Sequence, residues 1–509
     1  MFAKVLSAAI SGIDVCPVQV EADVSDGLPS FVMVGFPSTQ VKEAQDRVRT
    51  ALKNNGIGLP PKRITVNFAP ADIRKEGAGF DLPVAAAILA AAGVLKAELL
   101  EGVMMMGEIS LNGEVHGISG ILPMVIKARE EGCKYCMIPY ENLKEGRLIQ
   151  GITVIGIRNL KEMISYVREP DSFYCTEEPM EKREKIELLD FQDIRGQFAV
   201  KRAVEIAVSG FHNILLLGPP GTGKTMIAKR IPTIMPELTL EESLELMKIY
   251  SVAGLLAKED PFIKMRPFRN PHHTSTAVAL AGGGKNPRPG EITLAHRGVL
   301  FLDEMPEFSR RSLEILRQPL EDKVIRISRV NGTYVFPANF ILCAAMNPCP
   351  CGFYPDMNRC RCTSGEVSHY LGKISQPLLD RMDLCADVSP VTFEDLRKQE
   401  KGETSETIRK RVEKVREIQK IRFKKENIQF NGELQGKQVE EYCILNEDAE
   451  LLLQQVFAKM KFSARSYHKI LKVARTIADM EGTEYIERSH LGEALTYRAP
   501  DKKYWDSWL

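Results

Sequence analysis

The sequence predicts a multidomain α/β protein: an α+β region at the N-terminus, an α/β core around a phosphate loop, and a helical C-terminal region. Three observations carry this reading. The apolar run Ile214-Leu215-Leu216-Leu217 leads directly into Gly218-Pro219-Pro220-Gly221-Thr222-Gly223-Lys224-Thr225 and then into a helix-forming stretch, the order strand, loop, helix. A second apolar run, Gly298 to Leu302, ends in the acids Asp303 and Glu304. Beyond Phe393, Ile408, Val412, Val415, Ile418 and Ile421 recur at helical spacing. The 509 residues exceed one core, and about 150 residues per domain gives three.

In chain order, residues 1–168 mix β-like runs (18–24 and 31–34) with the helical run 83–92. Residues 169–187 are charged, proline-containing and poor in apolar side chains, so they read as a linker. Strands alternate with helices over 188–391, and 392–509 reads as an all-helical lid. The N-terminal stretch MFAKVLSAAISGIDV is too short and too alternating for a signal peptide, and no apolar run reaches about 18 residues. The expectation is a cytoplasmic protein that does not engage a membrane. Its 11 cysteines should then be thiols or metal ligands. The net charge of +1 excludes a global basic field, so a nucleic-acid site must be a local patch.

The chemistry begins at the phosphate loop. Its glycines let backbone N–H groups curl around phosphates, and the following helix N-terminus favours negative charge. Lys224 is expected to reach the β- and γ-phosphates of ATP, and Thr225 to hold Mg²⁺. Asp303 suits the metal shell and Glu304 the base that activates water, because a buried strand delivers both at its carboxyl edge. Four cysteines, Cys349, Cys351, Cys360 and Cys362, form two close C-x-C pairs that fit a tetrahedral structural Zn²⁺. All four positions are filled by protein, so the expected role is structural. Cys133 and Cys136 fall in a probable strand and read as core. The adjacent His272 and His273 read as a structural or pore-loop pair rather than metal ligands. Residues 324–335 read as a hairpin turning at Asn331-Gly332, with Arg326 and Arg329 on opposite faces. The basic stretch from Arg409 to Lys425 is interleaved with glutamates and reads as a solvated helix face, with DNA contact as the alternative.

Together, the phosphate loop, Asp303-Glu304, Asn347 and Leu378-Leu379-Asp380-Arg381-Met382-Asp383 resemble an AAA+ ATPase of the magnesium-chelatase/MCM clade. The resemblance implies that Asn347 polarises the attacking water and that Arg381 acts on a neighbouring subunit's γ-phosphate. It also implies that Arg465, in Phe462-Ser463-Ala464-Arg465-Ser466, is the basic sensor of the lid, and that Asp193 to Gln197 pack near the adenine. An arginine supplied by a neighbour implies an oligomer, most simply a homo-hexameric ring. In that clade the excess chain between Lys224 and Asp303 projects into the ring pore, and a basic residue near the hairpin tip grips DNA, a position that falls on Arg329. Residues 107–123 and Ile138-Pro139 are similar to the Lon protease domain, but Gly79 and Met124 stand where that family has its Ser–Lys dyad. The N-terminal part is therefore expected to bind an unidentified protein partner rather than cut it. Over nearly the whole chain the match is to the ComM/YifB group. It implies a hexameric, ATP-driven translocase that promotes branch migration of single-stranded or branched DNA in natural transformation. A magnesium-chelatase-type motor, or a protein-remodelling ATPase that does not act on DNA, is the alternative.

Overall fold

A computed structural model describes residues 1–169, 189–329, 332–390, 402–460 and 463–505. Nearly all of the expected linker, the boundary expected at 391/392, Phe462, and Val330-Asn331 of the expected turn lie outside the described residues. The chain forms two compact units. Within the described residues the first comprises 1–169, 240–263 and 332–334, and the second 189–239, 264–329 and 335–505.

Seven strands build the main sheet of the first unit: β1 (Phe2–Ser11), β2 (Asp14–Ser25), β3 (Ser30–Val34), β4 (Arg63–Ala69), β5 (Val103–Met105), β6 (Tyr135–Pro139) and β7 (Thr153–Ile157). They form one mixed sheet in the order β3-β4-β2-β1-β5-β6-β7. Strand β2 buries Val18, Val20, Ala22 and Val24, the alternation that its sequence displays. Helix Asp81–Ala91 is buried at every residue, which its nearly all-apolar composition permits. The exception, Asp81, accepts two bonds from Arg47 at 2.7 and 2.9 Å and one from the Ile109 N–H at 3.1 Å. Cys133 and Cys136 are buried core residues, as read from the sequence.

The segment between Lys224 and Asp303 is not a single insertion. Residues 240–263 belong to the first unit, where helix Leu240–Ala253 places Met247 among Ile121, Leu122 and Val125. The Gly120 N–H donates to the Ser251 carbonyl at 2.9 Å, and Lys258 pairs with Glu141 at 2.7 Å. The sequence reading placed a pore projection in this excess, which contains residues 267–275 and 282–285, and both stretches lie in the second unit. Apolar positions such as Met247 show why part of the excess folds otherwise, since they have a core to enter.

In the second unit β8 (Ile214–Leu217), β9 (Phe268–Arg269), β10 (Val299–Leu302), β11 (Ile341–Met346) and β12 (Leu384–Asp387) form a five-stranded sheet, order β9-β10-β11-β8-β12. All pairings are parallel. Every residue of β8, β10 and β11 is buried, which explains their uninterrupted apolar sequences. Leu217 pairs with Met346 and Leu302 with Ala344, so β8 and β11 end level and β10 ends two residues short of them.

C-terminal helices Ser405–Arg422, Ala464–Glu481 and Arg488–Thr496 share the second unit's core. One detail corrects the sequence reading. Ile408, Val412 and Val415 are buried, but Ile418 and Ile421 are exposed, and Gln419 takes the next buried position. The true helical period from Ile408 lands on 412, 415 and 419. Gln419 is satisfied there: it donates to the Ser209 carbonyl at 3.0 Å and accepts from the Asn431 N–H at 2.8 Å. The basic side chains of this helix are engaged in pairs, Arg411 with Glu205 and Glu403, Lys410 with Glu406, and Arg422 with Asp479.

Candidate functional site

The carboxyl edge of the parallel sheet gathers three functional segments, as parallel α/β sheets do. After β8 the phosphate loop turns into helix Lys224–Ile234 through Gly221 (φ +76°) and Gly223 (φ +87°). A Cβ at either would meet nothing within 4 Å, so glycine is required by the backbone conformation, not by crowding. The buried Lys224 Nζ donates to the Gly218 carbonyl at 2.7 Å, the Pro219 carbonyl at 2.9 Å and Asn347 Oδ1 at 3.1 Å. Burial lowers the Lys224 pKa, opposed by the charges of Asp303 and Glu304. The Thr225 hydroxyl donates to Asp303 Oδ2 at 2.7 Å. One hydroxyl and one carboxylate oxygen thus stand together beside the phosphate loop, a donor set that fits Mg²⁺.

Glu304 follows β10 with φ +50°, a left-handed conformation unfavourable for glutamate. Its N–H donates to Asp303 Oδ1 at 3.0 Å. The side chain is 62 % exposed, and His273 Nδ1 stands 3.8 Å from Glu304 Oε2. A cavity of about 400 Å³ opens here, lined by Glu304, Asn347, Pro350, His369, Tyr370 and Lys373. His273, His369, Tyr370 and Lys373 were not singled out as active-site residues from sequence. Lys373 lies just past the helix that holds His369 and Tyr370, and their only signal was the capping box Thr363/Glu366 that starts it. It identifies a helix, not its neighbours.

Arg381 and Arg465 lie elsewhere. Arg381 is 11 % exposed and tied within its own chain to Glu321 and the Pro377 carbonyl. Arg465 pairs with Asp380 at 3.4 Å, beside Arg381. The charges acting on Lys224 are instead those of Asp303 and Glu304. Upstream, Asp193 pairs at 2.8 Å with Arg230 of the helix that begins at Lys224. Arg326 is held by Asp322 at 2.9 Å, whereas the exposed Arg329 donates to the Gly284 carbonyl at 3.2 Å.

The four cysteines of the loop after β11 converge. Their sulfurs lie within 4.8 Å of one another, with Cys349–Cys351, Cys351–Cys360 and Cys349–Cys360 separations of 3.4, 3.6 and 3.8 Å. A tetrahedral ion with metal–sulfur bonds of about 2.3 Å sets its sulfurs about 3.8 Å apart, whereas a disulfide needs about 2.05 Å. The N–H groups of Gly352 and Tyr354 donate to Cys349 Sγ at 3.2 and 3.4 Å, as outer-shell groups around a bound ion do. Burial disfavours the Cys351 thiolate, but the backbone N–H groups of Phe353 and Arg361 and the neighbouring thiols outweigh it and bring its pKa to about 6. The cluster can hold one metal ion.

A phosphate loop, a strand ending in adjacent acids and an asparagine on the intervening strand of a parallel sheet define a P-loop ATPase of the AAA+ type. The families "Magnesium chelatase, subunit ChlI", "Subunit ChlI of Mg-chelatase" and "Magnesium chelatase, subunit ChlI C-terminal" match residues 190–396, 20–142 and 402–498. The chain is 43% identical over 505 residues to the Competence protein ComM of Haemophilus influenzae, covering 98% of this chain and 97% of that one. It is 41% identical over 504 residues to the YifB protein of Salmonella typhimurium, again covering 98% and 97%. Lon protease 2 of Bacillus subtilis is 33% identical over 133 residues, 25% of this chain and 23% of that one. The chain belongs to the ComM/YifB family of magnesium-chelatase-like proteins, with a Lon-like N-terminal region. In that region Gly79 has no side chain to attack with, and Met124 is buried with no group to take a proton. Among the described residues, no helix is long and apolar enough to cross a membrane.

Proposed function

We propose that this protein is an ATP-driven, hexameric DNA translocase that extends joints between an incoming strand and a duplex. The observation that carries the ATPase reading is the 2.7 Å contact between Thr225 and Asp303 beside the buried Lys224. DNA as substrate rests on the likeness to the competence protein and on the group resemblance.

ATP occupies the phosphate loop, and Lys224 leaves its carbonyl partners for the β- and γ-phosphates. Thr225 and Asp303 would hold Mg²⁺, which would supply charge neutralisation. Glu304 takes the proton of a water that Asn347 orients. The new bond forms between that oxygen and the γ-phosphorus as the bond to the β-phosphate's bridging oxygen breaks, leaving ADP and phosphate. A neighbouring copy brings Arg381 to the γ-phosphate, which requires Arg381 to leave Glu321, and Arg465 is the basic sensor of the lid. The four cysteines hold one structural Zn²⁺.

Lys224→Ala is expected to weaken ATP affinity by about 10²-fold, within the range for removing one partner of a buried charge pair (about 2–5 kcal/mol). Equilibrium binding of a fluorescent ATP analogue measures it, and unchanged affinity rejects the role.

The deciding experiment is steady-state ATP hydrolysis with and without single-stranded and forked DNA. Clear stimulation by DNA is expected. Hydrolysis indifferent to DNA rejects the translocase and favours a chelatase-type motor, the second reading, supported by the magnesium-chelatase family matches. Arg329→Ala is expected to weaken DNA binding equally across sequences and to reduce the slope of log affinity against log salt by about 1. An unchanged slope removes Arg329 from the phosphate contacts.

A further inference from the structure

Gly352 connects the four-cysteine loop to the phosphate loop. Its N–H donates to Cys349 Sγ at 3.2 Å. Its other face lies so close to the phosphate loop that a Cβ at this position would stand 2.5 Å from Pro220 Cδ. Real contacts of that kind do not occur, so a Cβ does not fit beside Pro220, and φ +85° disfavours most side chains other than asparagine as well. A second link runs through Asn347, two positions before Cys349, which accepts from Lys224 at 3.1 Å. Pro350, between Cys349 and Cys351, lines the cavity that contains Glu304. The cysteine loop therefore touches the phosphate loop at Pro220 and at Lys224, and reaches the cavity wall between them.

We propose that the metal-loaded four-cysteine loop is a positioning element of the nucleotide site. An ion of zinc-like softness on Cys349, Cys351, Cys360 and Cys362 fixes Gly352 against Pro220 and Asn347 beside Lys224. Without a cation nothing draws the four sulfurs together, and a loop this polar has little apolar surface of its own to bury. Metal-binding free energy is thus the ordering free energy of the loop. Release of the ion frees Gly352, removes the wall behind Pro220 and lets the phosphate cradle loosen. The inference rests on the nucleotide-site and zinc readings above, and its test separates their failures from its own.

The full-length protein is assayed for zinc by mass spectrometry and for affinity toward a fluorescent ATP analogue. Stripping the metal with a mercurial thiol reagent and a chelator is expected to weaken nucleotide binding by about 10-fold, restored by adding Zn²⁺. Gly352→Asn supplies the control, because asparagine tolerates the left-handed backbone and changes chiefly the space beside Pro220. It is expected to retain one zinc per chain and to lose about 10-fold in affinity, since displacements of this size at a reacting site are costly. Adding Pro220→Ala removes the clashing Cδ, so the double variant should bind more tightly than Gly352→Asn alone, a coupling that independent sites would not show. Wild-type affinity in zinc-loaded Gly352→Asn, or in metal-free protein, overturns the inference while leaving the ATP site standing. Absence of zinc from freshly purified protein with normal ATP affinity rejects the zinc reading and this inference together. Failure of the wild type to bind the analogue rejects the nucleotide site itself.

Discussion

Glu304→Gln should lower kcat for ATP hydrolysis by about 10²–10⁴-fold, the range for removing a positioned general base, while leaving nucleotide affinity close to wild type. The separation follows from geometry. Lys224 bonds the loop carbonyls, and Thr225 bonds Asp303. Glu304 is hydrogen-bonded to them only through its own N–H, to Asp303, which a side-chain substitution preserves, and its charge acts on Lys224 less than that of Asp303 does. Glutamine keeps the shape but cannot take a proton. The unfavourable left-handed backbone at Glu304 is held by the strand end before it and the short 3-10 turn Met305–Glu307 after it. Pre-steady-state kinetics should find ATP bound and uncleaved. Turnover at the wild-type rate would remove Glu304 from the mechanism.

Asp479→Ala should destabilise the second unit by about 3–5 kcal/mol, the cost of leaving a buried charge without its partner. Asp479 accepts from Arg422 at 2.7 Å, from Arg475 at 3.0 Å and from Asn431 at 2.8 Å. The Arg475 side chain is 1 % exposed, and a guanidinium cannot escape the penalty by deprotonating at any pH the protein survives. Its remaining bonds, to the Thr483 and Glu484 carbonyls, satisfy donors without neutralising charge. Against total stabilities of about 5–15 kcal/mol the loss is large. Asp479→Asn should cost less, because it keeps the acceptor oxygen. Denaturant midpoints for both variants decide the matter, and equal stability of Asp479→Ala and wild type would show that the network carries no net stabilisation.

Local rules explain which parts were legible beforehand. The phosphate loop, the acidic strand end and the cysteine pairs are contiguous or nearly so, and each needs particular residue types at fixed spacing, so the sequence displays them directly. The stripe on helix Ser405–Arg422 was legible only for its first turns. At the fourth position packing chose Gln419 over Ile418, because burial follows the helical period and a glutamine with two partners can occupy it.

By itself, the sequence determined the α/β core, the order of its motifs, the residue types that meet phosphate and the absence of a Ser–Lys pair at Gly79 and Met124. Each follows from chemistry or periodicity confined to a few neighbouring positions. Only the tertiary structure decided that residues 240–263 fold with the first unit, that His273 faces Glu304, that Arg381 is held by Glu321, and that Gly352 lies against Pro220. Those are contacts between segments distant in the chain. They are set by which surfaces complement one another once the strands have paired, and no single segment carries that information.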